Sequence, residues 1–174
     1  QVDVEIERAC IELLRIGVTD EHSIRSVLTI VKVNNELERI ADCAVIVAES
    51  AINHNDLISS APPTFRVMAN SVVGMARDTN KALAETDTKV AIRVLSFDDT
   101  VDRFRKEIVL DVQHLTSRGE LEPLMAFELL AVTRAMERIA DHCTNICEQV
   151  IYLETGKITR HLPEGWTVPE TPMF

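Results

Sequence analysis

Glu36-Leu37-Glu38-Arg39-Ile40-Ala41-Asp42 and Ala135-Met136-Glu137-Arg138-Ile139-Ala140-Asp141 share the string ERIAD. The copies stand 99 residues apart (38 to 137), and the same offset relates Val33 to Val132, Glu49 to Glu148 and Val2-Asp3 to Val101-Asp102. Several matches at one spacing mark an internal duplication. Around both strings apolar residues recur at steps of three and four, the period of a helix with one buried side.

Working outward, the same period runs through nearly the whole chain. It predicts helices over 2–16, closed by Gly17; over 19–54, opened by Thr19-Asp20-Glu21; over about 64–85; over 87–116, broken at Ser117-Arg118-Gly119; and over 121–154, stopped by Thr155-Gly156. Residues 55–63, ending in Pro62-Pro63, read as a linker. The expected fold class is all-α, as elongated helical bundles. The expected divisions are 1–58, two helices of the first repeat; 62–156, three helices of the second; and 157–174, an irregular tail. The first repeat is one helix short of the second. The reading therefore places its first helix before Gln1 and expects two three-helix bundles in the intact protein.

Composition narrows the function. The 174 residues carry 18 Lys and Arg against 28 Asp and Glu, a net charge of −10. Nucleic-acid phosphates need clustered cations, so nucleic acid is not an expected partner. No apolar run approaches the ~18 residues of a membrane helix, so no direct membrane insertion is expected. No basic-then-apolar opening reads as a signal peptide. Cys10, Cys43, Cys143 and Cys147 are too few for a disulfide scaffold in a chain this long and read as buried thiols, with Cys143 and Cys147 as a weaker metal pair.

Helical geometry, about 100° per residue, locates the acids. With Glu137 at zero, Asp141 falls near ~40° and Glu148 near ~20°, while Met136, Ile139, Ala140, Cys143, Ile146, Cys147 and Val150 centre near ~240°, roughly 130° from the acids. In the first copy Glu38, Asp42 and Glu49 form the matching stripe, with Leu37, Ile40, Ala44 and Ala51 expected to face inward. Asp98 and Asp102 stand one turn apart on the preceding helix, with Asp99 beside them. If that helix neighbours the last, they approach Glu137 and Asp141, and by symmetry Asp3 approaches Glu38 and Asp42. Like charges one turn apart repel by about 0.2–0.5 kcal/mol per pair. Pairs recurring at equivalent repeat positions are either a solvated face or a seat for hard cations such as Mg, Ca, Mn or ferric iron. The residues alone leave both readings open.

Rival chemistries are poorly served. Di-iron bundles send Glu-x-x-His into their core; here the acids point outward and no such string occurs. Gly17, Gly74, Gly119, Gly156 and Gly165 are scattered, with no phosphate loop among them. No nucleophile motif is present. His142 reads as a surface residue, with an auxiliary metal or proton role as the weaker reading, and Met68, Met75, Phe97, Phe104, Phe127 and Met136 read as core.

The twin strings, the second followed by His142, resemble the repeated E(D)xxxD signature of the PhoU family. Asp98-Asp99-Thr100-Val101-Asp102 resembles that family's acidic motif on the middle helix of each repeat, and Val2-Asp3 is similar to its end in the first. The likeness covers about residues 1–155. Ala41 and Ala140 stand where the family usually has Gly, and Cys43 and Met136 replace commoner residues. The resemblance implies two pseudo-symmetric antiparallel three-helix bundles, with clusters of metal ions on their surface. The implied ligands are Asp3, Glu38 and Asp42 at one site and Asp98, Asp102, Glu137 and Asp141 at the other. Asp99, Glu49 and Glu148 are outer candidates. Iron is the first expectation, with Mg, Mn, Ca and Zn behind it. The implied role is a cytoplasmic, homodimeric, non-enzymatic adaptor that negatively regulates the phosphate regulon. It would link a phosphate ABC transporter to a sensor histidine kinase. Alternative readings are a PhoU-like domain of a sodium–phosphate cotransporter and a metal-dependent phosphohydrolase on a helical bundle.

Overall fold

Successive stop and start signals cut the chain into helices. The computed structural model describes residues 2–17, 19–54, 56–162 and 165–167. The order is α1 (Val2–Arg15), α2 (Glu21–Asn53), α3 (Leu57–Ser60), α4 (Pro63–Glu85), α5 (Thr88–Ser117) and α6 (Pro123–Thr155). Strands β1 (Arg160–Leu162) and β2 (Gly165–Thr167) follow.

The boundaries have local causes. Asp20 Oδ1 accepts the Ser23 N–H at 2.8 Å ahead of α2. Asp87 Oδ1 accepts the N–H groups of Lys89 and Val90 at 2.8 and 3.1 Å ahead of α5. Each carboxylate satisfies N–H groups that have no partner within the helix. These bonds, Ser23 for Asp20 and Val90 for Asp87, hold both carboxyls below the usual aspartate range. The residue closing α1 is Gly17 (φ 89°) and that closing α6 is Gly156 (φ 70°), a left-handed turn that side chains with a Cβ rarely adopt.

Several expectations need correction. The linker contains a single helical turn, α3, with Leu57 buried. The tail is not irregular throughout: β1 and β2 pair antiparallel with His161 opposite Trp166. Three-residue strands are too short to show alternation between prolines. Residues 163, 164 and 168–174 of that tail lie outside the described residues. On α2 the expected inward set fails. Leu37, Ala44 and Ala51 are exposed and Ile40 half-buried, while Val33, Cys43 and Ser50 are buried. The helix carries apolar side chains on several sides, with Ile24, Leu28, Ile30, Val45 and Ile52 also exposed, so period alone selects no face.

The chain packs as two compact units, each assembled from segments distant in sequence. Unit 1 comprises Gln1–Glu38, Asp78–Ser96 and His142–Phe174. Its core includes Val27, Val33, Leu95, Ile146, Cys147 and Val150. Unit 2 comprises Arg39–Arg77 and Phe97–Asp141. Its core includes Met68, Val101, Ile108, Leu129, Val132 and Met136. The α6 core set expected from the repeat, from Met136 to Val150, is buried throughout. Phe127, expected inside, is 76% exposed, and Phe97 is also exposed. The buried stripe of α6 runs through Ala126, Leu129, Val132 and Met136, and Phe127 stands ~100° away from it. All four cysteines are free and buried.

Candidate functional site

The second acidic set lies wholly in unit 2. Asp98 and Asp102 come from α5, Glu137 and Asp141 from α6. The inward neighbours Met136, Ile139 and Ala140 fix the rotation of α6, which leaves Glu137 half-buried and Asp141 exposed. Val101 does the same on α5, leaving Asp98 and Asp102 half-buried and Asp99 exposed.

Glu137 is the centre of this group. Arg105 Nε stands 2.8 Å from Glu137 Oε2, with side-chain exposures of 34% and 22%. Burial pushes the Glu137 carboxyl above its usual range, Arg105 draws it back, and Asp141 and Asp102 push it up again. Asp102 of α5 and Asp141 of α6 thus both bear on the Glu137 carboxyl. Arg105 was missed. Its signal was available: it follows Asp102 by three residues and so shares the acidic side of α5.

The first acidic set is distributed differently. Asp3 and Glu38 belong to unit 1 and Asp42 to unit 2. Asp3 is half-buried, and its backbone carbonyl accepts the Asn34 Nδ2 amide at 3.0 Å. Glu38, Asp42 and Glu49 are exposed and Glu148 is half-buried.

His142 is not a surface residue. It is 8% exposed, and its Nδ1 lies 2.7 Å from Glu36 Oε2. Asn145 Nδ2 donates to the same oxygen at 3.0 Å. The α6 rotation that turns Asp141 outward carries the next residue ~100° round towards α2, where Glu36 meets it.

Donor chemistry and arrangement bear differently on the metal expectation. All seven expected ligands are carboxylates, the donor type that hard cations take. The arrangement is not gathered: among the described residues no three His, Cys, Asp or Glu side chains form a group that could hold an ion. At Glu137 the nearest positive charge is the chain's own Arg105.

The class defined so far is an all-α protein with two copies of one acidic helical motif. The PhoU domain family model matches residues 1–51 and 65–150, one stretch for each copy. The chain belongs to the PhoU domain family. It is 32% identical over 144 residues to the Thermotoga maritima phosphate-specific transport system accessory protein PhoU homolog 1, covering 82% of this chain and 62% of that protein. A phosphate-specific transport system accessory protein PhoU homolog of Aquifex aeolicus is 32% identical, with 92% and 73% covered. The chain thus spans less than two thirds of the length of the Thermotoga relative. The crystal structure of PhoU from Pseudomonas aeruginosa superposes with a TM-score of 0.78 at 29% identity, covering 89% of this chain and 78% of that one. PhoU from Streptococcus pneumoniae gives 0.79 at 24% identity, with 91% and 74% covered, a likeness of fold. Among the described residues no helix is long and apolar enough to cross a membrane.

Proposed function

We propose that this chain belongs to a regulatory accessory protein of a phosphate-specific transport system, acting by binding and not by turnover. The observation that carries the reading is the family match over both copies of the acidic motif, together with relatives named for that system. The reading brings with it a cytoplasmic homodimer that meets a phosphate ABC transporter and a sensor histidine kinase. Phosphate uptake and phosphate-responsive transcription in cells lacking the protein test the role. Loss of phosphate repression is expected, restored by the wild-type protein. Uptake and transcription indifferent to its removal would refute it.

The same proposal assigns the acidic ridge to cations. Asp98, Asp102, Glu137 and Asp141 would hold one set and Asp3, Glu38 and Asp42 the other, with iron, Mg, Mn, Ca or Zn as the ion. A bound cation would supply positive charge to a ridge whose acids repel one another. This chain's own contribution is Arg105, which holds Glu137 in its present place. A cation at Glu137 therefore competes with a guanidinium. Replacing Arg105 with Gln is expected to raise the stoichiometry or affinity of Mn²⁺ uptake. Uptake lower than wild type would overturn the competition.

A further inference from the structure

Unit 1 holds a second polar feature, which shares with the acidic ridge only the outer candidate Glu148. On α2, Arg25, Thr29 and Lys32 lie on one side of the helix at steps of four and three. An apolar stripe is the usual occupant of such positions. Thr29 is buried, and neither its hydroxyl nor Arg25 Nε has a hydrogen-bond partner among the described residues. Arg25 is only 17% exposed along its side chain, and its one ion pair among the described residues is a 3.6 Å contact with the exposed Glu21. Its guanidinium lies against Gly156, where a Cβ would strike it.

Beside this stripe is a cavity of about 230 Å³ lined by Lys32, Glu148, Gln149, Tyr152, Ile158 and Thr159. The Lys32 ammonium stands 5.7 Å from the centre of the Tyr152 ring. Thr159 is 4% exposed. Its Oγ1 and Gln149 Oε1 are buried with no hydrogen-bond partner among the described residues. Buried polar atoms are costly to leave unsatisfied, so two in one small cavity point to something that bonds them.

The lining selects a chemistry. Lys32 offers a charge and N–H donors, and the Thr159 hydroxyl can donate. Gln149 Oε1 can only accept. A ligand that fits has ionised oxygens on one side and an O–H on another. A protonated oxyanion has both, whereas sulfate at neutral pH has acceptors alone. The volume holds such an ion with a few waters, each needing about 30 Å³, and is below the ~300 Å³ where sites for larger organic ligands begin.

We infer that this cavity between α2 and the end of α6 is a binding site for hydrogen phosphate, seated on Lys32, Gln149 and Thr159 with Arg25 as a second nearby cation. The inference stands on the cavity and not on the acidic ridge or the transport role. Free orthophosphate and the phosphoryl group of a larger molecule share this chemistry, and the size of the cavity favours the free ion.

Titration calorimetry of the chain with orthophosphate, sulfate and glycerol 3-phosphate at fixed ionic strength tests it. Saturable binding of one phosphate per chain is expected, with sulfate weaker by about tenfold or more, since it leaves Gln149 Oε1 unpaired. Glycerol 3-phosphate weaker than orthophosphate supports the free ion. Binding at least as tight moves the source to a phosphoryl group and overturns the free-ion assignment. Lys32→Met and Thr159→Val are each expected to weaken phosphate about tenfold with helical circular dichroism unchanged. No saturable phosphate binding at millimolar concentration, sulfate binding as tight as phosphate, or folded variants that bind like the wild type would each overturn the inference and leave a cavity filled by water.

Discussion

Arg105→Met removes the guanidinium that pairs with Glu137, and its cost can be worked from the geometry. The pair is close, at 2.8 Å, with exposures of 34% and 22%. Fully exposed pairs contribute about 0–1 kcal/mol, whereas breaking a fully buried one costs about 3–5 kcal/mol. This pair lies nearer the exposed end, so a loss of roughly 1–2 kcal/mol at neutral pH is expected. For a chain of this size that lowers Tm by about 2–8 °C. The pH dependence separates charge from packing. The folded-state pKa of Glu137 is raised above its usual value, so its contribution to stability is complete below pH 4.5 and is lost as pH rises through the folded value. Without Arg105 that value rises further, because Asp141 and Asp102 then act unopposed by it. The gap between wild type and variant is therefore small near pH 4 and opens towards pH 7. Urea melts at both pH values, repeated in a Glu137→Gln background, provide the assay. In that background the Arg105→Met penalty should shrink by about 1 kcal/mol. An equal penalty at both pH values, or one that Glu137→Gln leaves untouched, would show that Arg105 acts by packing and that the account of the ridge is wrong.

Further outcomes follow from the core, a cap and the thiols. Leu129 is fully buried, so Leu129→Ala should cost about 2–5 kcal/mol in a urea melt, while Phe127→Ala on the same helix, at 76% exposure, should cost under about 1 kcal/mol. Asp87 has a depressed pKa because it accepts backbone N–H groups, so its contribution is present above pH 3.8 and is lost as pH falls through the folded value. Asp87→Ala should destabilise the protein at pH 7 and do so less near pH 2, read by circular dichroism melts. Burial pushes the Cys147 thiol up to about 12, although the Thr79 hydroxyl at 3.7 Å opposes the shift. Native protein should leave Cys147 unmodified by iodoacetamide at pH 8, and denatured protein should not, as peptide mass spectrometry would show.

Much of the fold was legible because its punctuation is local. Asp20, Asp87, Pro62-Pro63, Gly17 and Gly156 act within one turn of where they stand, and helix ends fell within a few residues of them. The internal repeat was legible from residue identities alone, and helical spacing put Glu137 and Asp141 on one side of α6 and Asp98 and Asp102 one turn apart on α5. What failed depended on partners distant in sequence. The buried side of α2 could not be chosen from a helix apolar on several sides. His142 was misplaced because its partner, Glu36, is 106 residues away. Arg105 was readable as a neighbour of Asp102 one turn away, but its pairing with Glu137 on α6 depends on a contact 32 residues apart (105 to 137). The cavity beside Lys32 joins α2 to residues beyond Gly156, a juxtaposition no periodicity reports.

The claim that the duplicated acidic motif seats cations is tested most directly by anomalous scattering at the manganese edge, from crystals grown with Mn²⁺ and without chelator. The account predicts a peak within about 2.0–2.6 Å of carboxylate oxygens of Glu137 and at least one of Asp102 and Asp141, with Arg105 turned away. No peak at either acidic set, with Arg105 still 2.8 Å from Glu137, would contradict it.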